Sequence, residues 1–273
     1  MEQLTAKQEK WAKEMKLKAL DMAFGTGSLG AHIGGGFSAM EIYSVLYSGI
    51  LNVGKDSLHS DTRDRIIASK GHGVLAQYTA LWEAGLLTEE ELDTFDKNGT
   101  HFYGHPCRNL DKGIEFSAGS LGLGISFGVG VSLSCKKKAL DNRIVIVIGD
   151  GECNEGIVWE AIMTAVNYQL SNLTLIVDRN KYQLDGPTDE IMKMSPLEDK
   201  FKAFGLAVDV VNGHDCKELT QVLEKRYDMP NVIIADTIKA HGISFLENNK
   251  MSHQCSITKK QYEQAKSELE NGQ

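Results

Sequence analysis

The stretch from Arg143 to Pro187 constrains the fold more than any other part of the chain. It opens with RIVIVIGDG, an unbroken run of β-branched residues that is typical of a strand buried on both faces. Residues 157–168 then repeat apolar side chains at three- and four-residue steps, which predicts a helix with one face on a sheet. These apolar positions are Val158, Ala161, Ile162 and Ala165. A second strand, NLTLIVD, follows, so about forty residues form a βαβ unit with parallel strands.

Two polar residues stand where these strands end. Asp150 follows the first strand, and Asn180 follows the second, thirty positions later (180 − 150 = 30). Both strands end at the edge where open parallel sheets bind ligands, so we expect these side chains to lie side by side. Carboxylate, amide and backbone carbonyl oxygens suit Mg²⁺ when water and phosphate complete the octahedron. Gly151 lets a diphosphate approach the backbone near a helix N-terminus, so the sequence predicts a magnesium diphosphate site.

Composition argues against several classes of protein. Charged residues make up 24% of the 273 residues and the net charge is −8, which does not suit a nucleic-acid surface. The five cysteines include no CxxC pair, which predicts reduced thiols in a cytoplasmic protein. The N-terminus, MEQLTAKQEK, is too charged for a signal peptide. The uncharged stretch from Phe116 to Cys135 contains five Gly and five Ser, which predicts a packed buried segment rather than a membrane span.

The length fits one domain over residues 1–273, with an N-terminal helix at 5–24 and a C-terminal tail. The N-terminal helix has an apolar side formed by Trp11, Met15, Ala19 and Met22. Residues 64–73, DRIIASKGHG, predict a short strand and a turn; residues 207–211 and 231–237 predict two further strands around a helix at 216–227. Two pairs have capping-box spacing and predict helix starts: Ser38 with Glu41, and Thr88 with Glu91. The first of these helices has the apolar stripe Ile42, Val45, Leu46 and Gly49.

The extended motifs GDGECNEGIVWEA and VDRNKYQLDGPT resemble the diphosphate-binding motif of thiamine diphosphate enzymes, in the form found in transketolases. The resemblance implies an α/β fold, a parallel sheet flanked by helices on both faces, that binds thiamine diphosphate with Mg²⁺, for which Ca²⁺ or Mn²⁺ can substitute. It implies metal ligation by Asp150, Asn180 and the backbone of Tyr182. It places Leu184 against the thiazolium ring and Glu155 at a subunit interface. The implied cofactor-binding residues are His72, Gly119, Leu121, Asp150, Gly151, Glu152, Glu155, Asn180 and Leu184.

The resemblance also assigns histidines. GAHIGGG resembles the family's SGHxGG, with Ala31 as a departure, and SKGHG, GHP and the segment MSHQ match three further family histidines. The implied catalytic residues are His32, His105 and His253, and the implied diphosphate contact is His72. For His101 we expect an exposed loop position, for His214 a turn or cap, and His241 receives no role. Histidines suit proton transfer to and from sugar hydroxyls near neutral pH.

Residues 121–133 give two conflicting indications. Every odd position is apolar and every even one is Gly or Ser, and this period of two is typical of a strand. Alternate glycines weaken strands, however, and the family segment GSLGQG begins a buried helix over the diphosphate. We therefore expect a helix here, with Leu123 in the place of the family's Gln.

Activation of the cofactor needs a carboxylate that transketolases supply from a second domain, and this length has no room for it. The resemblance therefore implies the N-terminal subunit of a split transketolase, joined to a C-terminal subunit in an α2β2 heterotetramer that acts on sugar phosphates, without nucleic acid or membrane. The α subunit of a 2-oxo acid dehydrogenase, deoxyxylulose-phosphate synthase and a non-catalytic cofactor-binding module remain alternatives. The motifs SKGHG and GHP and the pair Glu155-Gly156 favour a transketolase over the α subunit of a 2-oxo acid dehydrogenase. The sequence leaves the ketose donor open.

Overall fold

In the computed structural model, which describes residues 1–272, five strands form one parallel sheet. The strands are β1 Arg65–Ala68, β2 Ile144–Gly149, β3 Leu173–Arg179, β4 Ala207–Asn212 and β5 Asn231–Asp236. Their order across the sheet is β1-β2-β3-β5-β4. All four pairings are parallel, and Gly149 at the end of β2 is level with Asp178 in β3. The five predicted strands are therefore present.

The β2 strand explains why its sequence is apolar throughout. All six residues are buried, and successive side chains point to opposite faces of the sheet. Val145 and Val147 belong to the core on one face, whereas Ile144, Ile146 and Ile148 belong to the core on the other. The prediction of a strand buried on both faces is confirmed.

Helices cover both faces of the sheet. In chain order they are α1 Glu2–Gly25, α2 Ile33–Phe37, α3 Met40–Val45, α4 Val74–Glu83, α5 Glu89–Leu92, α6 Leu123–Lys137, α7 Gly156–Asn167, α8 Thr188–Ile191, α9 Leu197–Ala203, α10 Cys216–Glu224 and α11 Lys259–Asn271. The core on one face includes residues of α1 to α5, α10 and α11, and the core on the other face includes residues of α6, α7 and α9. The predicted fold class, a parallel sheet with helices on both faces, is confirmed.

Three helices follow the sequence closely. In α7 the buried residues are Val158, Ala161, Ile162 and Ala165, the four apolar positions of the predicted face. In α1, Met15, Ala19 and Met22 are buried and Trp11 is half-buried. Thr88 and Glu91 form the predicted capping box at the start of α5. The predicted helix at 216–227 ends earlier, because Lys225 has extended backbone angles.

The segment that alternates glycine with apolar residues forms α6, so the helix implied by the resemblance is confirmed and the strand-like periodicity is misleading. An added Cβ at Gly124 would lie 2.5 Å from the Ser69 side chain, and one at Gly128 would lie 2.3 Å from Ile146 Cδ1. These glycines let α6 approach the sheet. Within residues 1–272 no helix is both long enough and apolar enough to cross a membrane.

The capping box predicted for Ser38 and Glu41 is wrong. Ala39 precedes the first residue of α3 without a side-chain cap, and Ser38 and Glu41 are both buried in other interactions. The Ser38 hydroxyl donates to Asp178 Oδ2, and Glu41 accepts from Lys16. Tertiary charge pairing therefore prevails over local capping. Gly49 is also not part of the buried stripe, because the chain leaves the helix there with a φ of 129°.

Candidate functional site

Asp150 and Asn180 stand at the carboxyl ends of β2 and β3, as predicted. Asp150 is buried, and its Oδ2 accepts from the backbone N–H of Lys181 at 2.8 Å and from the Thr188 hydroxyl at 3.2 Å. Its Oδ1 accepts from the backbone N–H of Gly151. The carboxylate therefore lies directly against the turn that contains Asn180.

The turn after β3 presents oxygen atoms to the same place. Asn180 is buried, its Nδ2 donates to Ser38 Oγ, and its Oδ1 accepts from the backbone N–H of Tyr182 at 3.0 Å. Lys181 has a φ of 66°, in the left-handed region, which reverses the chain between Asn180 and Tyr182. The Asn180 amide oxygen has a second lone pair, so it is available to a cation.

A buried ion pair lies beneath this edge, and the sequence did not identify it. Lys70 Nζ pairs with Asp178 Oδ2 and donates to the Gly35 carbonyl at 2.8 Å. The hydroxyls of Ser38 and Thr237 donate to the same carboxylate. This pair ties the ends of β1 and β3 to the glycine-rich turn at α2.

The charge balance at Asp150 favours a cation. Burial raises the pKa of Asp150 to about 6, and the Asp178 carboxylate adds to the effect. The pKa of buried Glu152 is raised too, chiefly by burial. Two buried carboxyl groups with raised pKa values indicate that this pocket would gain from added positive charge.

The four histidines assigned by resemblance come together. The ring of His32 lies 4.9 Å from His105, 5.6 Å from His253 and 6.2 Å from His72, measured between centroids. The rings of His72 and His253 are 5.0 Å apart. His101, in contrast, is exposed, as predicted. Four distant segments of the chain therefore build one imidazole cluster.

The pKa values of all four histidines are lowered, which favours the neutral rings. Burial lowers the pKa of His32 to about 4, helped by His105, and burial with the nearby Lys239 lowers the pKa of His253 to about 4. The pKa values of His72 and His105 are lowered as well, first by burial. The buried Nδ1 of His32 has no hydrogen-bond partner among the described residues, so one polar atom of the cluster is available to a ligand.

Lys239 is a further site residue that the sequence did not predict. It is 1% exposed, its Nζ donates to the Gln183 carbonyl at 3.3 Å, and it lies 5.6 Å from the ring centre of Tyr182. Burial lowers its pKa to about 8, and Lys70 contributes. Lysine is normally solvated, so its burial here between Asp150 and the histidines supplies positive charge to the pocket.

The remaining predicted residues surround this centre at different depths. Glu152 is buried and accepts from the Ser69 hydroxyl and from the backbone N–H of Gly122 and Gly149. An added Cβ at Gly151 would lie 3.0 Å from Gln183 Cβ, so the backbone is closely approached there. The other four residues lie nearer the surface: Gly119 and Glu155 are exposed, Leu121 is half-buried and Leu184 is 62% exposed.

Sequence comparison identifies the family. The family described as "Transketolase, thiamine diphosphate binding domain" matches residues 8–271. This chain belongs to that family. The 6-deoxy-6-sulfo-D-fructose transketolase subunit SqwG of Clostridium sp. (strain MSTE9) is 39% identical over 248 residues, which is 89% of this chain and 90% of that protein. An apulose-4-phosphate transketolase subunit of Actinobacillus succinogenes is 38% identical, over 90% of this chain and 89% of that protein.

Solved transketolases share the fold over nearly the whole chain. The transketolase from Leishmania mexicana superposes with a TM-score of 0.89 and 26% identity, over 96% of this chain. That from Campylobacter jejuni gives 0.87 and 28%, over 98%. This chain spans only 41% and 43% of these two proteins, and 41% of human transketolase, to which it is 31% identical. It therefore corresponds in length to the transketolase subunits and not to the full-length enzymes.

Proposed function

We propose that this chain is the thiamine diphosphate-binding subunit of a two-subunit transketolase. The observation that carries the proposal is the placement of His32, His72, His105 and His253 in one cluster, with Lys239 near both His253 and Asp150. Together the two subunits transfer a two-carbon ketol unit from a ketose to an aldose. The match to relatives that are themselves named as transketolase subunits supports this division.

The residues present fit a magnesium diphosphate. Asp150 and Asn180 offer oxygen ligands, and Tyr182 offers its backbone carbonyl; hard oxygen donors suit Mg²⁺, and Ca²⁺ or Mn²⁺ can take its place. A divalent cation would also stabilise the ionised form of Asp150, whose pKa is raised to about 6 by burial and by the Asp178 carboxylate. We propose that these three residues hold the metal and that Gly151 admits the diphosphate.

The cluster residues have separate roles in this proposal. Thiamine diphosphate, when bound, supplies an electron sink for the transferred two-carbon unit. His72 contacts the diphosphate, and His32, His105 and His253 bind the sugar hydroxyls and move protons at them. The charge of a bound diphosphate would oppose the effects of Lys70 and Lys239, which contribute to the lowered pKa values of His72 and His253.

Other predicted contacts complete the cofactor site. Gly119, Leu121 and Glu152 line its diphosphate side, at the start of α6. Leu184 packs against the thiazolium ring, which explains an apolar side chain that is 62% exposed in the isolated chain. Lys239 adds a cation beside Asp150.

A partner subunit completes the active site. The proposed mate contains the remaining transketolase domains, supplies the carboxylate that activates the cofactor, and meets this chain at the exposed Glu155. The assembly is an α2β2 heterotetramer with two shared sites. A cytoplasmic location stays a prediction from the cysteine content.

The donor sugar is the next question. Two relatives are named for 6-deoxy-6-sulfo-D-fructose and for apulose-4-phosphate, both ketoses with an anionic group. We propose an anionic ketose as donor and an aldose phosphate as acceptor for this chain. Xylulose 5-phosphate, apulose 4-phosphate and the sulfonated ketose form the first screening set.

The experiment is co-purification of this chain with its C-terminal mate, followed by assays of ketol transfer from each donor to one aldose phosphate. We expect thiamine diphosphate and Mg²⁺ to be required and the isolated chain to be inactive with every donor. Transfer by the isolated chain would contradict the division into subunits. Oxidative decarboxylation of a 2-oxo acid would favour the dehydrogenase alternative, and cofactor binding without turnover in the full assembly would favour the non-catalytic one.

A further inference from the structure

A series of hydrogen bonds, one buried and two partly buried, runs from α1 to the segment that follows β5. Lys16 Nζ donates to Glu41 Oε1 at 2.6 Å, and Glu41 Oε2 lies 2.9 Å from His214 Nδ1. The other ring nitrogen of His214, Nε2, accepts from the backbone N–H of Ile238 at 2.8 Å. The next residue is Lys239. This series of hydrogen bonds therefore ends one residue before a lysine whose side chain reaches the cofactor pocket beside Asp150.

These contacts fix the hydrogen-bonding roles of two histidines, His214 and His241. A backbone N–H can only donate, so Nε2 of His214 is an acceptor and its Nδ1 carries the proton given to Glu41. The Lys16 ammonium likewise donates to His241 Nδ1, at 3.0 Å. His241 stacks on His214 with ring centres 3.6 Å apart. Both rings are held in one orientation.

The same facts argue against a metal site here. The donor atoms of Glu41, His214 and His241 lie within 4.8 Å of one another, which is compatible with a metal ion. A metal on His214 Nδ1 would require that nitrogen to lose its proton while Nε2 still accepts from Ile238. The Lys16 ammonium already neutralises Glu41, whose pKa it holds well below the usual range against the opposing effect of burial. We therefore interpret Glu41, His214 and His241 as a hydrogen-bonded group that holds the backbone at Ile238.

Backbone hydrogen bonds hold most of the segment beyond β5, including one from the N–H of Asn248 to the Lys239 carbonyl. The N–H of Thr237 donates to the Arg179 carbonyl, and the N–H of Ala240 donates to the Gly34 carbonyl, both to backbone. Between them, the N–H of Ile238 donates to a side chain, that of His214. Loss of this acceptor frees the Thr237–Ile238 peptide group, one residue before Lys239, whose side chain donates to the Gln183 carbonyl.

We propose that His214 is a positioning residue, which fixes the backbone at Ile238 and thereby aims the Lys239 ammonium into the thiamine diphosphate pocket. This inference rests on the proposed function, because Lys239 acts there on the bound diphosphate. His214 itself does not touch the cofactor. Its contribution is to cofactor affinity and not to the chemical step.

The test compares His214→Phe, which removes the acceptor, with His214→Gln, which keeps an acceptor near the Nε2 position. Thr220→Val is the matched control, since it breaks the buried bond from Thr220 to Gln8 in the same region without contact to Ile238. Two quantities are measured: hydrogen exchange at the Ile238 amide by NMR in the chain, and the dissociation constant of thiamine diphosphate with Mg²⁺ in the two-subunit assembly.

We expect His214→Phe to speed exchange at Ile238 and to raise the dissociation constant about tenfold, since a partly buried N–H loses its acceptor. The kcat at saturating cofactor should stay unchanged. His214→Gln should keep slow exchange and near wild-type affinity, and Thr220→Val should lower the melting temperature without weakening cofactor binding. Should phenylalanine not be accommodated, His214→Ala with added imidazole provides the rescue experiment.

Wild-type affinity in His214→Phe would refute the positioning role, and so would an equal loss in Thr220→Val. A His214→Gln protein that protects Ile238 yet binds as weakly as His214→Phe would refute it too. If the wild-type assembly binds no thiamine diphosphate, the proposed function fails instead, and the exchange measurement in the free chain still reports on the His214 bond.

Discussion

The Asp150 carboxylate accepts a hydrogen bond of 2.8 Å from the backbone N–H of Lys181, although Asp150 follows β2 and Lys181 follows β3. The bond closes the gap between two adjacent strand ends and holds the turn that carries Asn180 against Asp150. Because β2 and β3 are parallel, Asp150 and Asn180 lie at the same edge of the sheet. The hydrogen bond from Lys181 then fixes their oxygen atoms relative to each other. Predictions about the cofactor therefore begin with Asp150.

Replacement of Asp150 with asparagine should weaken binding of magnesium thiamine diphosphate at least about tenfold, because a buried anionic ligand is lost. Isothermal titration of the two-subunit assembly measures the change. Asp141→Asn is the control, since it removes the same charge from an exposed position before β2, on the opposite edge of the sheet. Equal affinities in Asp150→Asn and Asp141→Asn would contradict a metal role for Asp150.

Cofactor affinity should also depend on pH through Asp150. Its pKa is raised to about 6, so the free site holds a proton below that pH and must release it before a cation binds. The dissociation constant should therefore rise as the pH falls through about 6. Titrations over this range provide the measurement, and Asp150→Asn should lack the step; a step that persists in the variant would assign it to another group.

The histidine cluster predicts a division of kinetic effects. His32→Ala, His105→Ala and His253→Ala should lower kcat about a hundredfold, since each loses a proton-transfer or binding group, with little change in cofactor affinity. His72→Ala should instead weaken thiamine diphosphate binding. Ketol transfer assays and cofactor titrations separate the two, and His101→Ala at an exposed position is the control. Undiminished kcat in all three variants would exclude a catalytic cluster.

Some residues of this site are predicted by the sequence pattern, and others only by the family resemblance. Asp150 and Asn180 follow from strand ends alone, because burial patterns locate the strands and parallel topology locates the edge. His32, His105 and His253 follow only from the family resemblance. They stand on separate loops whose local sequence contains no periodic pattern, and tertiary folding alone brings the rings of His105 and His253 to 4.9 Å and 5.6 Å from that of His32.

Lys70 and Asp178 lie within the motifs SKGHG and VDRNKYQLDGPT, but nothing in the sequence predicts that they pair, and nothing predicts that Lys239 is buried. A lysine or aspartate is read as solvated unless a partner is known, and the partners here come from distant segments. The capping box predicted for Ser38 and Glu41 was wrong for the same reason. Their spacing favours a local cap, but each side chain is buried and bonds to a charged group elsewhere. Buried ion pairs are the part of this fold that periodicity cannot reveal.

Low stability at acid pH should follow from the neutral cluster. His32 and His253 have pKa values of about 4 in the folded chain, against about 6.5 when unfolded, so the unfolded chain binds more protons between these values. Their contribution to the free energy of unfolding is present above about pH 6.5 and is lost as the pH falls towards 4. Urea unfolding across this window measures it. The stability difference between wild type and the double variant His32→Gln, His253→Gln should shrink with acidification; a difference independent of pH would contradict the lowered pKa values.

The packing of α6 allows a test of stability that does not involve the cofactor. Gly128→Ala should destabilise the chain by about 1–3 kcal/mol, because the new Cβ would lie 2.3 Å from Ile146 Cδ1 and force α6 away from β2. Gly130→Ala is the matched variant in the same helix: its added Cβ meets nothing within 4 Å, and alanine favours the helix by up to about 1 kcal/mol. Urea unfolding of both variants should give opposite signs. If Gly128→Ala were as stable as Gly130→Ala, the glycines of this segment would not be what allows the helix to lie so close to the sheet.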